Sequence, residues 1–164
     1  NSEKIRKLVL NNKSNFNKKT DLLLYLAARS ENIIKLKKYY KKKVIIIDRF
    51  TDSTHIYQGF VGGVAKDLLN ALDQLSCNGL VPDLTLLLDM DSNDGLARTV
   101  NRGGAEGRFE SKGKPFHCKV RDGFIARAEK EPNRIVKIDA ARPVDDVAID
   151  VIAAVQRALM AYGF

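Results

Sequence analysis

The sequence has only two cysteines, and it has no long apolar run. Cys77 and Cys118 lie far apart without the spacing of metal ligands. Two free thiols in a reducing compartment are therefore favoured over a disulfide. No apolar run approaches the roughly 18 residues of a membrane span, and no signal-peptide pattern is present. These absences predict a cytoplasmic protein without a membrane partner.

Length and composition place the chain among ordinary globular proteins. At 164 residues it is predicted to form one domain, long enough to bury a core without disulfide or metal staples. Hydrophobic residues make up 45% of the sequence, which excludes a disordered or fibrous class.

The net charge of +8 is concentrated at the front of the chain. Residues 1–50 hold 11 Lys and 3 Arg against 4 acidic residues, whereas residues 51–164 are slightly acidic. A basic segment can mark nucleic-acid or membrane contact. A lysine-rich, solvated helix face and loop is favoured instead, because few aromatic side chains accompany the lysines to stack on bases. Nucleic acid is therefore not predicted as a partner.

Apolar residues recur at helical spacing in several segments. The polar stretch 11–19 is predicted to be a loop, after which Thr20 caps a helix with Asp21 in its first turn. Pro115 suits the first turn of a later helix, and Pro143, followed by two aspartates, opens the last one. The predicted helices cover residues 2–10, 20–40, 62–77, 92–102, 115–128 and 143–159.

Three short, mainly apolar runs are predicted to be strands, namely 44–47, which is continuously apolar, 84–88 and 135–138. Such runs are typical of strands buried on both faces, as in a parallel sheet. Because strands and helices alternate along the chain, the predicted class is α/β, with a parallel sheet flanked by helices.

The first apolar run, VIIIDRF at residues 44–50, ends on a charged pair. In open parallel sheets, ligands bind beyond the carboxyl ends of the strands, where Asp48 and Arg49 are predicted to lie. The Arg49 guanidinium can hold a phosphate with two parallel hydrogen bonds, and the Asp48 carboxylate can orient Arg49 or a metal-bound water. An ion pair that only closes the strand end is the alternative.

Six segments together resemble motifs of the bacterial thymidylate kinases. DRFTDSTHIYQG, residues 48–59, is similar to their DR(Y/F)xxS(S/T)xAYQG motif. The other five are LLLYLAAR (22–29), VPDLTLLLD (81–89), GLARTVNRG with RFE (95–103 and 108–110), FHCKVRDGF (116–124) and RIVKIDAARPVDDV (134–147). Because all six occur in the family's order, the chain is identified as a member of this family.

The resemblance implies a P-loop kinase fold and transfer of the γ-phosphoryl group of ATP to dTMP, with Mg²⁺, for dTTP and DNA synthesis. It implies that Arg49 binds the dTMP phosphate, that Asp48 organises the phosphate end and indirectly the metal, and that Tyr25 stacks on thymine. Without the resemblance, Arg29 would be interpreted as an exposed helix cation, and packing would compete evenly with sugar contact for Tyr57. Base and sugar contacts are implied for Arg29, Ser53, Thr54, Tyr57 and Gln58.

A lid over the phosphates is also implied, at about residues 95–114. Positioned cations stabilise the charge of a transferring phosphoryl group, and closure excludes water as a competing acceptor. The glycine- and charge-rich residues 103–114 are predicted to be mobile without ligand. The catalytic lid arginines implied are Arg98, Arg102 and Arg108. Contacts with ATP are implied for Arg102 and for two residues near the base, Ala140 and Arg142.

No GK(S/T) sequence, which marks the P-loop that holds the ATP phosphates, occurs in the 164 residues. We therefore expect the sequence as given to lack the family's first βαβ unit and, by itself, not to phosphorylate dTMP. Two alternatives stay open, a non-catalytic module that binds mononucleotides and a kinase of another deoxynucleoside monophosphate. The resemblance further implies a homodimer formed through helices.

Overall fold

The structure, a computed structural model, describes residues 1–10, 16–40, 42–101 and 112–163, without the side chains of residues 10 and 99–101. These residues form two compact units, the first covering Asn1–Val81 and the second beginning at Pro82. The prediction of one domain over residues 1–164, with a lid at about 95–114, stays a prediction.

The first unit consists of helices. Its elements are α1 (Ser2–Leu10), α2 (Lys18–Leu36), α3 (Thr51–Thr54), a π-helix (His55–Val61) that continues α3, and α4 (Lys66–Cys77). Helix α2 packs against both α1 and α4. Its leucines Leu22 and Leu26 meet Leu69 of α4, and further along, Ile33 meets Phe50 and Cys77.

Helix α2 begins at Lys18 because Asn17 caps it. The Asn17 Oδ1 accepts hydrogen bonds from the backbone N–H groups of Lys19 and Thr20, both at 3.0 Å. The prediction that Thr20 caps this helix is therefore wrong, and Thr20 lies within its first turn. Asp21 does lie in the first turn, as predicted, where its charge favours the helix N-terminus.

Residues 44–47 do not form the predicted strand. The segment is irregular, and Ile46 is 93% exposed. An apolar run forms a buried strand only where a neighbouring strand accepts its backbone hydrogen bonds. In the described part of the chain, the sheet consists of two other strands that pair with each other and not with residues 44–47. The prediction that Asp48 and Arg49 follow a buried strand is therefore wrong for this structure.

The second unit is built on a parallel strand pair. Strand β1 (Thr85–Asp89) pairs with β2 (Ile135–Asp139) so that Thr85 lies opposite Ile135 and Asp89 opposite Asp139. Helices α6 (Lys114–Lys130) and α7 (Val144–Ala161) pack against β2, and α5 (Ser92–Asn101) packs against α6. The α/β class with a parallel sheet is thus confirmed.

Most element boundaries of this unit agree with the sequence. Both strands lie within one residue of their predicted limits, Pro115 lies in the first turn of α6, and Pro143 is the N-cap of α7. In the first unit, α4 starts at Lys66 rather than at residue 62, because the chain turns at Gly63, whose φ is a left-handed 83°. The predicted stop at Gly103-Gly104 and most of the predicted mobile segment lie outside the described residues.

Neither a disulfide nor a membrane-spanning helix occurs in the described ranges. Both cysteines are free, and Cys77 is buried, so the preference for free thiols over a disulfide is confirmed. None of the helices found there is long and apolar enough to cross a membrane.

Candidate functional site

The backbone at the Asp48–Arg49 pair is held in an unusual conformation. Arg49 has a φ of 62°, in the left-handed region that costs a residue with a Cβ about 1–3 kcal/mol. Its Nη1 donates a hydrogen bond to the Tyr57 Oη at 3.0 Å, and its guanidinium carbon lies 5.4 Å from the centre of the Tyr57 ring. Asp48 and Arg49 are both exposed. The first unit thus presents a carboxylate and a positioned guanidinium at its surface.

A second arginine, Arg29 of α2, lies inside the same unit. Its Nη2 donates to the Thr54 Oγ1 at 2.5 Å and to the Phe50 carbonyl oxygen at 3.2 Å. The guanidinium carbon also lies 5.4 Å from the centre of the Phe50 ring. Because its side chain is only 12% exposed, Arg29 is not the exposed helix cation that its sequence context alone would suggest.

A carboxylate on α4 balances this buried cation. The Asp73 Oδ1 accepts a hydrogen bond from the Arg29 Nη1 at 3.4 Å, while the Asp73 Oδ2 lies 2.8 Å from the His55 Nε2. Asp73 therefore links the arginine of α2 to a histidine at the start of the π-helix. π-helical turns are rare and often occur at functional sites.

Burial changes the titration of two groups in this cluster. Desolvation lowers the pKa of Arg29, and the neighbouring Cys77 and Asp73 oppose that change. The guanidinium still remains charged, because arginine is not deprotonated in proteins. Desolvation also raises the pKa of the Cys77 thiol. The interior of the first unit therefore contains a permanent cation held by polar groups.

The structure brings the predicted dTMP-site residues together in two pairs. Arg29 contacts Thr54, and Arg49 contacts Tyr57. The other three predicted residues are half-buried on elements that carry these pairs. They are Tyr25 on α2, Ser53 on α3 and Gln58 on the π-helix.

Sequence reasoning missed Asp73 and His55. Asp73 is 44 positions from Arg29, so no local spacing connects the two. A usable signal was nevertheless present on α4. Leu69, Asp73 and Cys77 follow at intervals of four, which puts an acidic residue on the apolar face of an amphipathic helix. Because a charge on a buried face needs a partner, that position predicts a buried cation nearby.

In the second unit, a cleft of about 190 Å³ opens at the carboxyl end of β1. Asp89 accepts two hydrogen bonds from Arg121 of α6, from Nε at 2.7 Å and from Nη2 at 3.1 Å, which raises the pKa of Arg121. Asp91 accepts a hydrogen bond from the Asn93 backbone N–H, which lowers the pKa of Asp91. His117 also lines the cleft, and its buried Nε2 has no hydrogen-bond partner among the described residues.

Arg98 of α5 contacts the loop that follows β2. Its Nη1 donates to the Ala140 carbonyl oxygen at 2.9 Å, and its Nη2 donates to the Ala141 carbonyl oxygen at 3.1 Å. Arg142 in the same loop is paired with Asp150 of α7, which raises the pKa of Arg142. Three of the residues predicted for the lid or for ATP, Arg98, Ala140 and Arg142, thus meet at one end of the second unit. The other two, Arg102 and Arg108, lie outside the described residues.

Comparisons with known proteins give one consistent result. A family model described as thymidylate kinase matches residues 2–151. Among solved structures, the chain is similar to the crystal structure of thymidylate kinase from Ehrlichia chaffeensis, with 30% sequence identity and a TM-score of 0.69. That match covers 94% of this chain and 72% of the Ehrlichia chain.

Proposed function

Because the chain belongs to the thymidylate kinase family, whose members are nucleoside monophosphate kinases that use ATP to convert dTMP to dTDP, we propose that its first unit carries the dTMP site. The observation that supports this most directly is Arg49. Its left-handed backbone and its contact with Tyr57 hold an exposed guanidinium in a defined direction. Such a group suits the dianionic phosphate of a mononucleotide.

The remaining roles in the proposed dTMP site follow from side-chain chemistry. Arg29 and Thr54, already in contact, offer N–H and hydroxyl groups to the polar edge of thymine. Tyr25 offers an aromatic face for stacking on the base. Ser53, Tyr57 and Gln58 contact the sugar and the base edge.

ATP is proposed to bind at the second unit. Arg98 donates hydrogen bonds to the carbonyl oxygens of Ala140 and Ala141, which holds the loop after β2 in place. In this proposal, Ala140 and Arg142 of that loop contact the ATP base. Arg102 and Arg108 are proposed as the lid arginines that stabilise the transferring phosphoryl group. Arg98 would then support the lid region as well as the loop.

Mg²⁺ is proposed to accompany ATP. In phosphoryl transfer this ion is bound through one or two carboxylates together with substrate phosphates and water. Within the described ranges there is no cluster of three or more His, Cys, Asp or Glu side chains that could hold a metal ion. The exposed Asp48 beside Arg49 fits the one or two protein carboxylates that Mg²⁺ needs when phosphates and water supply its other ligands. Asp48 would therefore hold the ion indirectly, and the ion would neutralise phosphate charge.

Two broader features complete the proposal. A cytoplasmic location and a homodimer are supported by the family resemblance. The expectation that the 164 residues by themselves do not phosphorylate dTMP stays a prediction, which a coupled assay for ADP tests.

Calorimetric titration with mononucleotides tests the proposed substrate. We expect dTMP to bind more tightly than dCMP, because thymine presents a different polar edge to Arg29 and Gln58. Thymidine, which lacks the phosphate, should bind more weakly than dTMP. Equal binding of dTMP and dCMP would favour a kinase of another deoxynucleoside monophosphate, and equal binding of thymidine would remove Arg49 from the site.

A further inference from the structure

Arg29 and Asp73 form a charge pair with little access to water. The Arg29 side chain is 12% exposed and the Asp73 side chain 17% exposed, and the two groups come from different helices, α2 and α4. A buried cation without a partner carries a large desolvation cost. Asp73 therefore stabilises the charge of Arg29 in this position.

The orientation of Asp73 is itself fixed. Its Oδ1 contacts the Arg29 Nη1, and its Oδ2 contacts the His55 Nε2 at 2.8 Å. The His55 side chain is 10% exposed, so it has little room to rotate away. With one partner on each oxygen, the carboxylate has a fixed orientation. Its Oδ1 therefore holds the Arg29 Nη1 in a fixed position.

The Nη2 of Arg29 contacts Thr54, a residue of the proposed dTMP site. Nη2 contacts Thr54 and the Phe50 carbonyl oxygen, whereas Nη1 contacts Asp73. Because the guanidinium is planar and rigid, fixing Nη1 fixes the direction of the whole fork. Asp73 thus contacts Nη1, whereas Nη2 makes the contact with Thr54 of the proposed dTMP site.

We propose that Asp73 is a positioning residue for dTMP, acting through Arg29 and held in turn by His55. This inference rests on the proposed function, in which Arg29 binds the thymine base. It assigns a role to Asp73 of α4, which lies outside the motif of residues 48–59, and to His55, which stands at a position of that motif open to any residue.

Calorimetric dTMP binding to the full chain and its variants tests this role. Asp73→Ala should weaken dTMP binding by about tenfold, because a partner of the buried charge is lost. Asp73→Asn should stay within about threefold of the unaltered chain, because its amide oxygen still accepts from Arg29 and its amide N–H can reach His55. Asp67→Ala is the matched control, since Asp67 is exposed on the same helix, and it should leave dTMP affinity unchanged.

A double-mutant cycle separates positioning from general support of the fold. In an Arg29→Ala background, Asp73→Ala should change dTMP affinity by less than about twofold, because residues that act as one unit are not additive. Circular dichroism checks that each variant is folded. If Asp73→Ala does not fold, Asp73→Ser, whose hydroxyl is too short to bridge both partners, repeats the cycle.

The outcomes distinguish the inference from its premise. Failure of the unaltered chain to bind dTMP would overturn the proposed function and this inference together. If the unaltered chain binds dTMP and folded Asp73→Ala binds it equally well, the inference alone is wrong. Equal losses from Asp73→Ala with and without Arg29 would also overturn it, because Asp73 would then not act through Arg29.

Discussion

At the scale of single residues, Arg49 combines a strained backbone with an exposed charge. A left-handed φ is normally left to glycine, and glycine would relieve the strain at position 49. Glycine would also remove the guanidinium that contacts Tyr57. Backbone strain of this kind often occurs at functional sites, which agrees with the proposed phosphate-binding role of Arg49.

Three substitutions of Arg49 distinguish the contribution of its side chain to dTMP binding from the effect of its backbone strain on stability. Arg49→Ala and Arg49→Gly should both weaken dTMP binding, by about 1.5–3 kcal/mol, because a hydrogen-bonded charge is lost. The free energy of unfolding of Arg49→Gly should be about 1 kcal/mol larger than that of Arg49→Ala, because only glycine accepts the left-handed φ without strain. Arg49→Lys should restore part of the affinity, since it keeps the charge without the bidentate fork.

Calorimetry and urea unfolding measure these two quantities independently. Unchanged dTMP affinity in Arg49→Ala would exclude Arg49 from the site. Equal stability of the alanine and glycine variants would show that the backbone at position 49 is relaxed in solution.

Cys77 offers a residue-scale prediction about pH. Burial raises the pKa of its thiol, and the residue is only 1% exposed. In the unfolded chain a thiol titrates at about 8.5, so the free energy of unfolding should fall as pH rises above that value toward the raised folded pKa. Cys77→Ala should flatten this dependence.

Alkylation provides a direct check on Cys77. Iodoacetamide at pH 8 should modify Cys77 much more slowly than Cys118, which is only partly buried. Mass spectrometry of the peptides, with Cys118→Ser as a control, resolves the two sites. Rapid labelling of Cys77 in the folded chain would contradict its burial.

At the scale of elements, helix starts were predictable where a rigid residue marks them. Proline fixes its own φ, so Pro115 and Pro143 mark the starts of α6 and α7 closely. The sequence prediction misplaces the start of α2 because Asn17 and Thr20 both qualify as caps; the stronger intrinsic preference for Asn agrees with the observed cap. The π-helix could not be predicted, since no residue pattern distinguishes it from an α-helix.

The N-cap of α2 can be tested by a pair of substitutions. Asn17→Ala should lower the free energy of unfolding by about 1 kcal/mol, because two backbone N–H groups lose their acceptor. Thr20→Ala is the control and should cost less than about 0.5 kcal/mol, since Thr20 is not the cap. Urea denaturation measures both costs, and the reverse order of costs would make Thr20 the cap.

The proposed dTMP site shows a similar division between local and distant information. The linear motif of residues 48–59 includes Arg49, Thr54 and Tyr57, so sequence comparison alone could propose their roles. Asp73 lies outside that segment and joins these residues only through contacts between helices, whereas His55 lies within it at a position that the motif leaves open. The sequence therefore could not predict Asp73, because this residue contacts Arg29 from a distant segment of the chain.

At the scale of the whole molecule, each of the two units contains part of the proposed chemistry. The first unit contains the proposed dTMP residues, and the second contains β1, β2 and the loop proposed for the ATP base. The strand pair was predictable because both runs are mainly apolar and follow turn-forming residues. The run at 44–47 has the same pattern, but whether it becomes a strand depends on its neighbours rather than on its composition.

Matched substitutions in the two kinds of apolar run test this difference. Ile46 is 93% exposed in its irregular segment, whereas Ile138 of β2 is 3% exposed. Ile138→Ala should cost about 2–5 kcal/mol of unfolding free energy, because it leaves a cavity in a packed core. Ile46→Ala should change that free energy by less than about 0.5 kcal/mol, because an exposed side chain loses no packing. Urea unfolding at low protein concentration gives both values without contributions from association. A cost above about 2 kcal/mol for Ile46→Ala would mean that the segment is buried in the folded chain, as the continuous apolar run predicted.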